Sequence, residues 1–339
     1  MKNITKVGLS ALAGSLAFAS VNAGEVSISG SMIASFTKKG GYNTTGNPLG
    51  MNKELTVTGS GELDNGVGVA YKQTVTNAMG YNDSELVFTG VPMVGGATLA
   101  LTSTGSPMDA IDDKTPIAFE EANAAVGSVD DVAGANGTYG IRYTLSDVAG
   151  SGIKLDAFYV PKAGTGDAQA EKGVSGSGAD NKNKDAYEVT LTGAVPGVDG
   201  LDFGLGAAEI NKSEGETAGS SNEDQTEGTA YLNYAFGSFK VGAQKSIVNQ
   251  AGKTETNYNT TYVGISYAVS DNLSISYNEI NADKETLGSG TVEQDFDSVS
   301  LSYTAGGMTI GILDADVDNA SYNSGRTQSA RAIQMTVAF

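Results

Sequence analysis

The sequence of 339 residues contains no cysteine, no histidine and no tryptophan. Without cysteine, disulfide bonds and thiolate chemistry are excluded. The lack of histidine excludes Ser/His/Asp hydrolysis and histidine-ligated metal sites. Aromatic residues make up only 7% of the chain, whereas glycine occurs 46 times. This composition does not resemble the packed interior of a large soluble domain, which usually carries more Leu, Ile and Phe.

Positive charge is also scarce. The chain has 20 basic and 39 acidic residues, which gives a net charge of −19, and only three of the bases are arginines: Arg142, Arg326 and Arg331. Proteins that bind nucleic acid need the opposite charge balance, because they must neutralise phosphates. Nucleic acid is therefore not an expected partner.

The longest apolar stretch lies near the amino terminus, from Leu9 to Val21. Lys2 and Lys6 precede it, and the small residues that end at Ala23 are typical of a signal-peptidase site. About 13 apolar residues are too few to cross a bilayer core that needs roughly 20. We therefore interpret residues 1–23 as a cleaved secretory signal. Residues 24–339, with 18 basic and 39 acidic residues, form one predicted domain that can meet a membrane only as strands.

The rest of the chain alternates apolar and polar residues with a period of two. In the last run, Gln334 and Thr336 fall on one face, and the other face carries Ile333, Met335, Val337 and Phe339. This period indicates β-strands with one apolar face. The pattern predicts sixteen strands, near residues 25–36, 52–63, 67–76, 83–90, 97–103, 137–145, 153–160, 185–193, 201–210, 227–236, 239–247, 257–269, 273–280, 294–303, 308–314 and 330–339.

The connections between these strands alternate between tight turns and long polar stretches. Asp64-Asn65-Gly66 and Gly237-Ser238 are typical of hairpin turns. Stretches such as 104–136, 161–184 and 281–293 are long and polar, and only the link near 77–82 is short where a long one is expected. Tight turns at one end of the strands and long loops at the other favour an all-β fold, a transmembrane antiparallel up-and-down β-barrel of sixteen strands. Such a barrel encloses too much space for small side chains to fill, so the polar face is expected to line a water-filled channel.

The signal segment, the sixteen alternating strands and the terminal Phe339 together resemble the Gram-negative general diffusion porins. The resemblance covers residues 24–339 and implies a homotrimer in the outer membrane, in contact with lipid and lipopolysaccharide. It also implies passage of small hydrophilic solutes, an assembly machinery that reads Phe339, and a third external loop that folds inward as a constriction. Residues 104–136 match that loop, which in the family displays acids to the pore and here keeps Pro116 and Phe119 of the family's tip motif.

The resemblance assigns two sets of site residues. The acidic constriction would comprise Asp109, Asp112, Asp113, Glu120 and Glu121. Strand parity offers four bases for the opposite pore wall: Lys72, Arg142, Lys154 and Lys240. Because arginines are few and acids many, we expect a mild preference for cations. Taken singly, each base fits a solvated wall residue without a special role better than a functional one.

No cofactor is expected, although external acidic loops could hold divalent cations loosely. Asp314, Asp316 and Asp318 have the spacing that opens a calcium loop, but Asn319 and Gly325 replace the required glycine and glutamate, so we interpret them as a solvated acidic loop. Three other functions stay open. They are a substrate-selective channel, a secreted or surface β-protein such as an adhesin, and an outer-membrane enzyme, although familiar enzymes of that kind use histidine.

Overall fold

The structure is a computed structural model that describes residues 24–76, 80–127, 129–163, 183–212, 224–250 and 256–339. It is a closed barrel of sixteen antiparallel strands in which each strand pairs with its sequence neighbours and β16 pairs with β1. This architecture confirms the predicted fold class and strand count. The predicted signal segment, 1–23, and the middle of the short link, 77–79, lie outside the described residues.

The strands run in chain order as follows: β1 Glu25–Gly41, β2 Leu49–Glu62, β3 Gly68–Thr76, β4 Gly80–Thr89, β5 Thr98–Thr102, β6 Gly140–Leu145, β7 Lys154–Val160, β8 Asn183–Ala194, β9 Leu201–Lys212, β10 Gln225–Phe236, β11 Phe239–Gln250, β12 Thr256–Ser270, β13 Leu273–Thr286, β14 Gly290–Ala305, β15 Met308–Asp318 and β16 Gln328–Ala338. One α-helix, α1, spans Glu121–Ala124. Within the described ranges, no helix combines the length and apolar character needed to cross a bilayer.

Several strands extend further than the alternation predicts. The predicted long loop at 281–293 is wrong, because β13 continues to Thr286 and β14 begins at Gly290. The predicted acidic loop at Asp316 and Asp318 is also wrong, since both residues belong to β15. Backbone pairing does not require an apolar outer face, so these strands continue where their outward residues are polar, while inward Ala282, Ala315 and Val317 are buried.

The barrel closes between β1 and β16 with a stagger. Residues 31–41 of β1 pair with β16, starting with Ser31 opposite Ala338. Phe339 and Gly30 also exchange two backbone hydrogen bonds of 2.9 and 2.8 Å. The first residues of β1 pair only with β2. Closing a barrel of tilted strands requires such a stagger, and local alternation carries no information about it.

The predicted faces of the strands are confirmed. Ile333 and Met335 expose 52% and 40% of their surface on the outside of the barrel, and Phe339 exposes 47%. At the tight-turn end, aromatic side chains form a continuous outward row in which Phe239 lies 5.7 Å from Phe236 and 4.6 Å from Tyr267, measured between ring centroids. Such rings are typical of the girdle at a membrane interface.

The wall is low on one side and high on the other. Strands β5, β6 and β7 have five, six and seven residues, whereas β12, β13 and β14 have 15, 14 and 16. The long connection between β5 and β6 folds into the barrel. It packs against an apolar patch on the inner face of the high wall, where Ala122 and Val126 join Phe296 and Leu313 in a buried cluster. The largest apolar core therefore lies inside the barrel.

Candidate functional site

The connection between β5 and β6, residues 103–139, crosses the inside of the barrel from the low wall to the high wall. We call it the inner loop; it contains the predicted stretch 104–136. Its path is fixed by inward side chains that bond to its backbone. Gln244 of β11 accepts a hydrogen bond from Lys114 N at 2.6 Å and donates to Ile111 O at 2.8 Å. Asn233 of β10 donates to Lys114 O at 2.8 Å.

The same arrangement continues along the loop toward β14. Asn278 of β13 donates to Pro116 O at 2.9 Å. Ser276 accepts from Ala118 N at 2.9 Å. One residue later, Ser300 of β14 accepts from Phe119 N at 3.0 Å. Because backbone groups need partners when buried, these polar wall residues let the loop lie against the barrel without loss of hydrogen bonds.

Inward glycines make room for the loop. A Cβ atom at Gly264 would lie 2.7 Å from Pro116 O, and one at Gly311 would lie 2.5 Å from the Phe119 ring. Gly264 and Gly242 are cross-strand partners, and a Cβ at Gly242 would lie 2.6 Å from Pro116 Cδ. Without Cβ atoms the wall is flat here, so the loop can approach it closely.

Three of the five predicted loop acids line one cavity. Asp113, Glu120 and Glu121 border a cavity of 600 Å³ inside the barrel, together with Lys114 and Lys240. Glu120 and Glu121 are exposed, and Asp113 lies 3.8 Å from Lys114. The barrel wall contributes uncharged Ser266, Ser302, Thr309 and Gln334, next to Lys240, which pairs with Asp202. A passage of this kind presents more negative than positive groups to a solute.

The other two predicted acids lie on the wall side of the loop, and they do not border this cavity. Burial, reinforced by the charge of Asp113, raises the pKa of Asp112 to about 8. Burial also raises the pKa of Asp109, against a hydrogen bond from Asn136 that lowers it. Asp131, which accepts a hydrogen bond from the Tyr262 hydroxyl, has its pKa raised by burial to about 6. At neutral pH, Asp112 therefore carries less than a full negative charge.

The four predicted wall bases all pair with an inward carboxylate of the wall. The Nζ atoms of Lys72, Lys154 and Lys240 lie 3.2, 2.6 and 3.4 Å from oxygens of Asp83, Asp156 and Asp202. The fourth base, Arg142, lies 3.1 Å from Glu85 and donates weakly to Gly105 O of the inner loop. The bases therefore face the lumen, and their charges are balanced by adjacent acids.

Sequence reasoning missed these four carboxylates as partners. Parity alone places Asp83, Asp156 and Asp202 on the inner face, so their location was available from the alternation. The pairing depends on register across strands, which the alternation does not fix. Also missed were the amides that bind the loop, Asn233, Gln244 and Asn278, for which the sequence contains no separate signal.

Charged groups outside the lumen take no part in this site. Arg331 faces outward and its Nε lies 3.0 Å from Asp314. Arg326 lies over the ring of Tyr42, 3.7 Å from its centroid, in the connection before β16. Across the ranges that the structure covers, no group of three or more acidic side chains is placed to hold a metal ion.

A closed sixteen-stranded barrel, apolar outside and polar inside, with a loop that narrows the interior, defines a transmembrane channel. A model of the Gram-negative porin family matches residues 8–331. The chain belongs to the Gram-negative porin family, and it is an outer-membrane channel protein. No curated protein matches the sequence.

Solved structures show the same fold. OmpT, an outer membrane protein of Vibrio cholerae, covers 96% of this chain and 100% of its own with 11% identity and a TM-score of 0.68. It has also been solved in a trimer form. The anion-selective porin from Comamonas acidovorans covers 93% and 100% with 15% identity and a TM-score of 0.65. Salmonella typhi OmpF, solved with daunomycin, covers 94% and 98% with 12% identity and a TM-score of 0.64.

Proposed function

We propose that this porin is a passive, water-filled channel for small hydrophilic solutes and ions, with a preference for cations and no catalysed reaction. The observation that carries this proposal is the unequal pairing of charges in the lumen. The wall bases are balanced by adjacent acids, whereas Glu120 and Glu121 of the inner loop are exposed at the cavity. An excess of fixed negative charge in a narrow pore raises the local concentration of cations.

The inner loop would act as the constriction, and residues 1–23 would be removed during export. Acids of the loop stand close to the solute path, while the wall side is lined by hydroxyl and amide groups and by Lys240, which is paired with Asp202. Hydroxyl pairs such as Ser27 with Thr58 and Thr56 with Thr74 continue this neutral lining on β1 to β3. A wall whose charges are paired in this way adds little net charge to the lumen.

Planar bilayers provide the test. The purified chain should produce stable single-channel currents, and a KCl gradient should give a reversal potential of the sign for cation selectivity. An anion-selective sign would disprove the electrostatic part of the proposal, and a lack of conductance would disprove the channel itself. Saturable block by one particular sugar or anion would instead favour a substrate-selective channel.

The cation preference should increase with pH. Between about pH 5 and pH 9, Asp131 and then Asp112 lose their protons, since their pKa values are about 6 and about 8. Reversal potentials measured across this range should show a step near pH 8 that D112N removes; a flat profile from pH 7 to pH 9 would contradict it. Burial favours the protonated form of Asp112, so protonation of Asp112 stabilises the docked loop. This stabilisation is complete below pH 3.8, the ordinary pKa of Asp, and is lost as the pH rises through about 8.

We also propose a homotrimer that associates through the outer face of β3 and β4. The outer face of β3 and β4 carries Gln73 and Ser84 opposite each other, at the middle of the strands, and Ser84 hydrogen-bonds to Tyr139. Polar groups at mid-bilayer depth are costly against lipid, so cover by a second copy is favoured. The trimer form of the Vibrio cholerae neighbour supports this arrangement. Sedimentation in mild detergent at the mass of one chain would contradict it.

The rest of the apolar outer face would contact membrane lipid and lipopolysaccharide.

Phe339 is proposed as the assembly signal read by the barrel assembly machinery. Its backbone closes the seam with Gly30, so the F339A substitution leaves those hydrogen bonds possible while removing the outward ring. F339A should lower the amount of heat-modifiable barrel in outer-membrane fractions, whereas Y303A, which removes an outward aromatic side chain elsewhere, should lower it less. Equal amounts from F339A and the unchanged chain would exclude the role.

A further inference from the structure

Two inward glutamates lie behind the ends of the inner loop. Glu188 of β8 and Glu227 of β10 expose only 4% and 6% of their surface. Ala208 of β9 is the cross-strand partner of both, so the two carboxylates flank a small side chain in one row across the wall. Unlike the wall bases and their acids, neither glutamate takes part in a salt bridge within the described part of the chain.

Glu188 joins the outgoing and returning segments of the inner loop. Its Oε2 accepts hydrogen bonds from Ser106 Oγ at 2.6 Å and from Met108 N at 3.3 Å. Its Oε1 accepts one from Ala135 N at 2.6 Å. Ser106 Oγ also lies 3.1 Å from Ala133 O, so the two segments lie side by side on the wall. We call residues 106–108 and 133–135 the neck of the loop.

Glu227 binds the returning segment of the neck. Its Oε2 accepts hydrogen bonds from Ala133 N at 2.9 Å and Gly134 N at 2.8 Å, while Gln225 donates to its other oxygen at 2.7 Å. Gly134 has φ of +57°, and a Cβ there would lie 2.5 Å from Glu188 Oε2. A glycine is therefore required where the chain passes between the two carboxylates.

A buried carboxylate without a cationic partner is unfavourable unless hydrogen-bond donors surround it. Here the neck supplies those donors, from one hydroxyl and four backbone N–H groups. Hydrogen bonds to an ionised acceptor are stronger than neutral ones. The neck and the two glutamates thus stabilise each other. Displacing the neck would leave Glu188 buried without these donors and Glu227 with Gln225 alone.

We propose that Glu188 and Glu227 form a clamp on the neck and are the positioning residues that fix the inner loop across the lumen. Neither residue touches the cavity. They act through the loop, by holding its acids at a constant place beside the solute path. The effect of the clamp on ion flow rests on the proposed function, whereas its effect on the position of the loop does not.

The decisive variants are E188Q and E227Q, since glutamine keeps the size and presents an amide N–H group to backbone donors. E209Q is the matched control, because it removes the same charge at the exposed outer face of β9, which lies between β8 and β10. In bilayers, E188Q and E227Q should raise open-channel current noise and shift the cation-to-anion permeability ratio toward one, while E209Q should leave both unchanged.

A second measurement reports on the loop without ion flow. Val132 is 1% exposed and packs beside the clamp with Met108 and Ala208, so V132C introduces a single buried thiol into a chain without cysteine. A water-soluble maleimide should label V132C slowly. Labelling should become about tenfold faster or more with E188Q or E227Q, because loss of charge-assisted hydrogen bonds favours local opening.

G134A provides an independent variant that keeps both carboxylates and forces the neck away from Glu188. It should speed labelling of V132C as the glutamine variants do. The clamp would be overturned if E188Q and E227Q form heat-modifiable barrel but label V132C only at the rate of the E209Q control. The same slow labelling in G134A would also overturn it. Faster labelling in a chain that conducts no ions would support the clamp and disprove the proposed function.

Discussion

Neutralising the acids at the cavity, with D113N, E120Q and E121Q combined, should abolish the cation preference. These carboxylates border the solute path, and Lys114 and Lys240 would remain. One charge at about 6 Å in water changes the energy of an ion by about 0.7 kcal/mol, or about threefold in local concentration at low salt. The reversal potential in a KCl gradient should therefore fall to zero or change sign.

The matched control places the same three charge changes on the outside. Glu279, Asp297 and Asp316 are cross-strand partners on the exposed outer face of β13, β14 and β15. E279Q, D297N and D316N together should leave the reversal potential nearly unchanged. The effect of the inner triple variant should shrink in 1 M salt, where the Debye length is about 3 Å. If both triple variants behave alike, the cavity acids do not set selectivity.

Excision of the inner loop should give the largest change in conductance. Ser106 Oγ and Ala133 O are 3.1 Å apart, so residues 107–132 can be replaced by two glycines without moving the strands. The loop occupies lumen between the two walls, and the inner strands left behind enclose a wide channel. Single-channel conductance should rise severalfold, and larger sugars should enter liposomes that carry the variant.

A suitable control replaces residues 43–47 by two glycines. This connection between β1 and β2 contacts Lys39 and Gln328 at the rim of the barrel. Its excision should leave single-channel conductance close to that of the unchanged chain. Should loop excision leave conductance and sugar entry unaltered, the inner loop would not be the constriction.

Much of the fold follows from local patterns. The alternation of side chains predicted the sixteen strands and their order. It also predicted the face of each residue, with Ile333 outside and Gln334 and Arg142 inside, because side chains alternate strictly along a strand. The bounds of β13 to β15 could not be predicted, since pairing continues where the outer face is polar and the inner face, at Ala282 and Val317, is apolar and buried. The stagger at the seam, with Ser31 opposite Ala338, depends on closure of the whole sheet.

The candidate site was predictable only in part. The sequence and its family resemblance placed acids such as Asp113 and Asp112 in one inward loop, and parity placed Arg142 inside. Only the structure separates Asp113 at the cavity from Asp112 against the wall, a difference that also sets the raised pKa of Asp112. The acids paired with the wall bases and the clamp at Glu188 depend on register and on the path of the loop.

The sequence by itself determined that the chain forms strands with one apolar and one polar face and carries an excess of acids, because composition and period are properties of neighbouring residues. Tertiary structure decided which charges remain unpaired in the lumen and where the inner loop lies. Those properties arise from contacts between residues far apart in the chain, such as Gln244 with Lys114 and Glu227 with Gly134. Closing the sheet brings those residues together, and local alternation does not specify them.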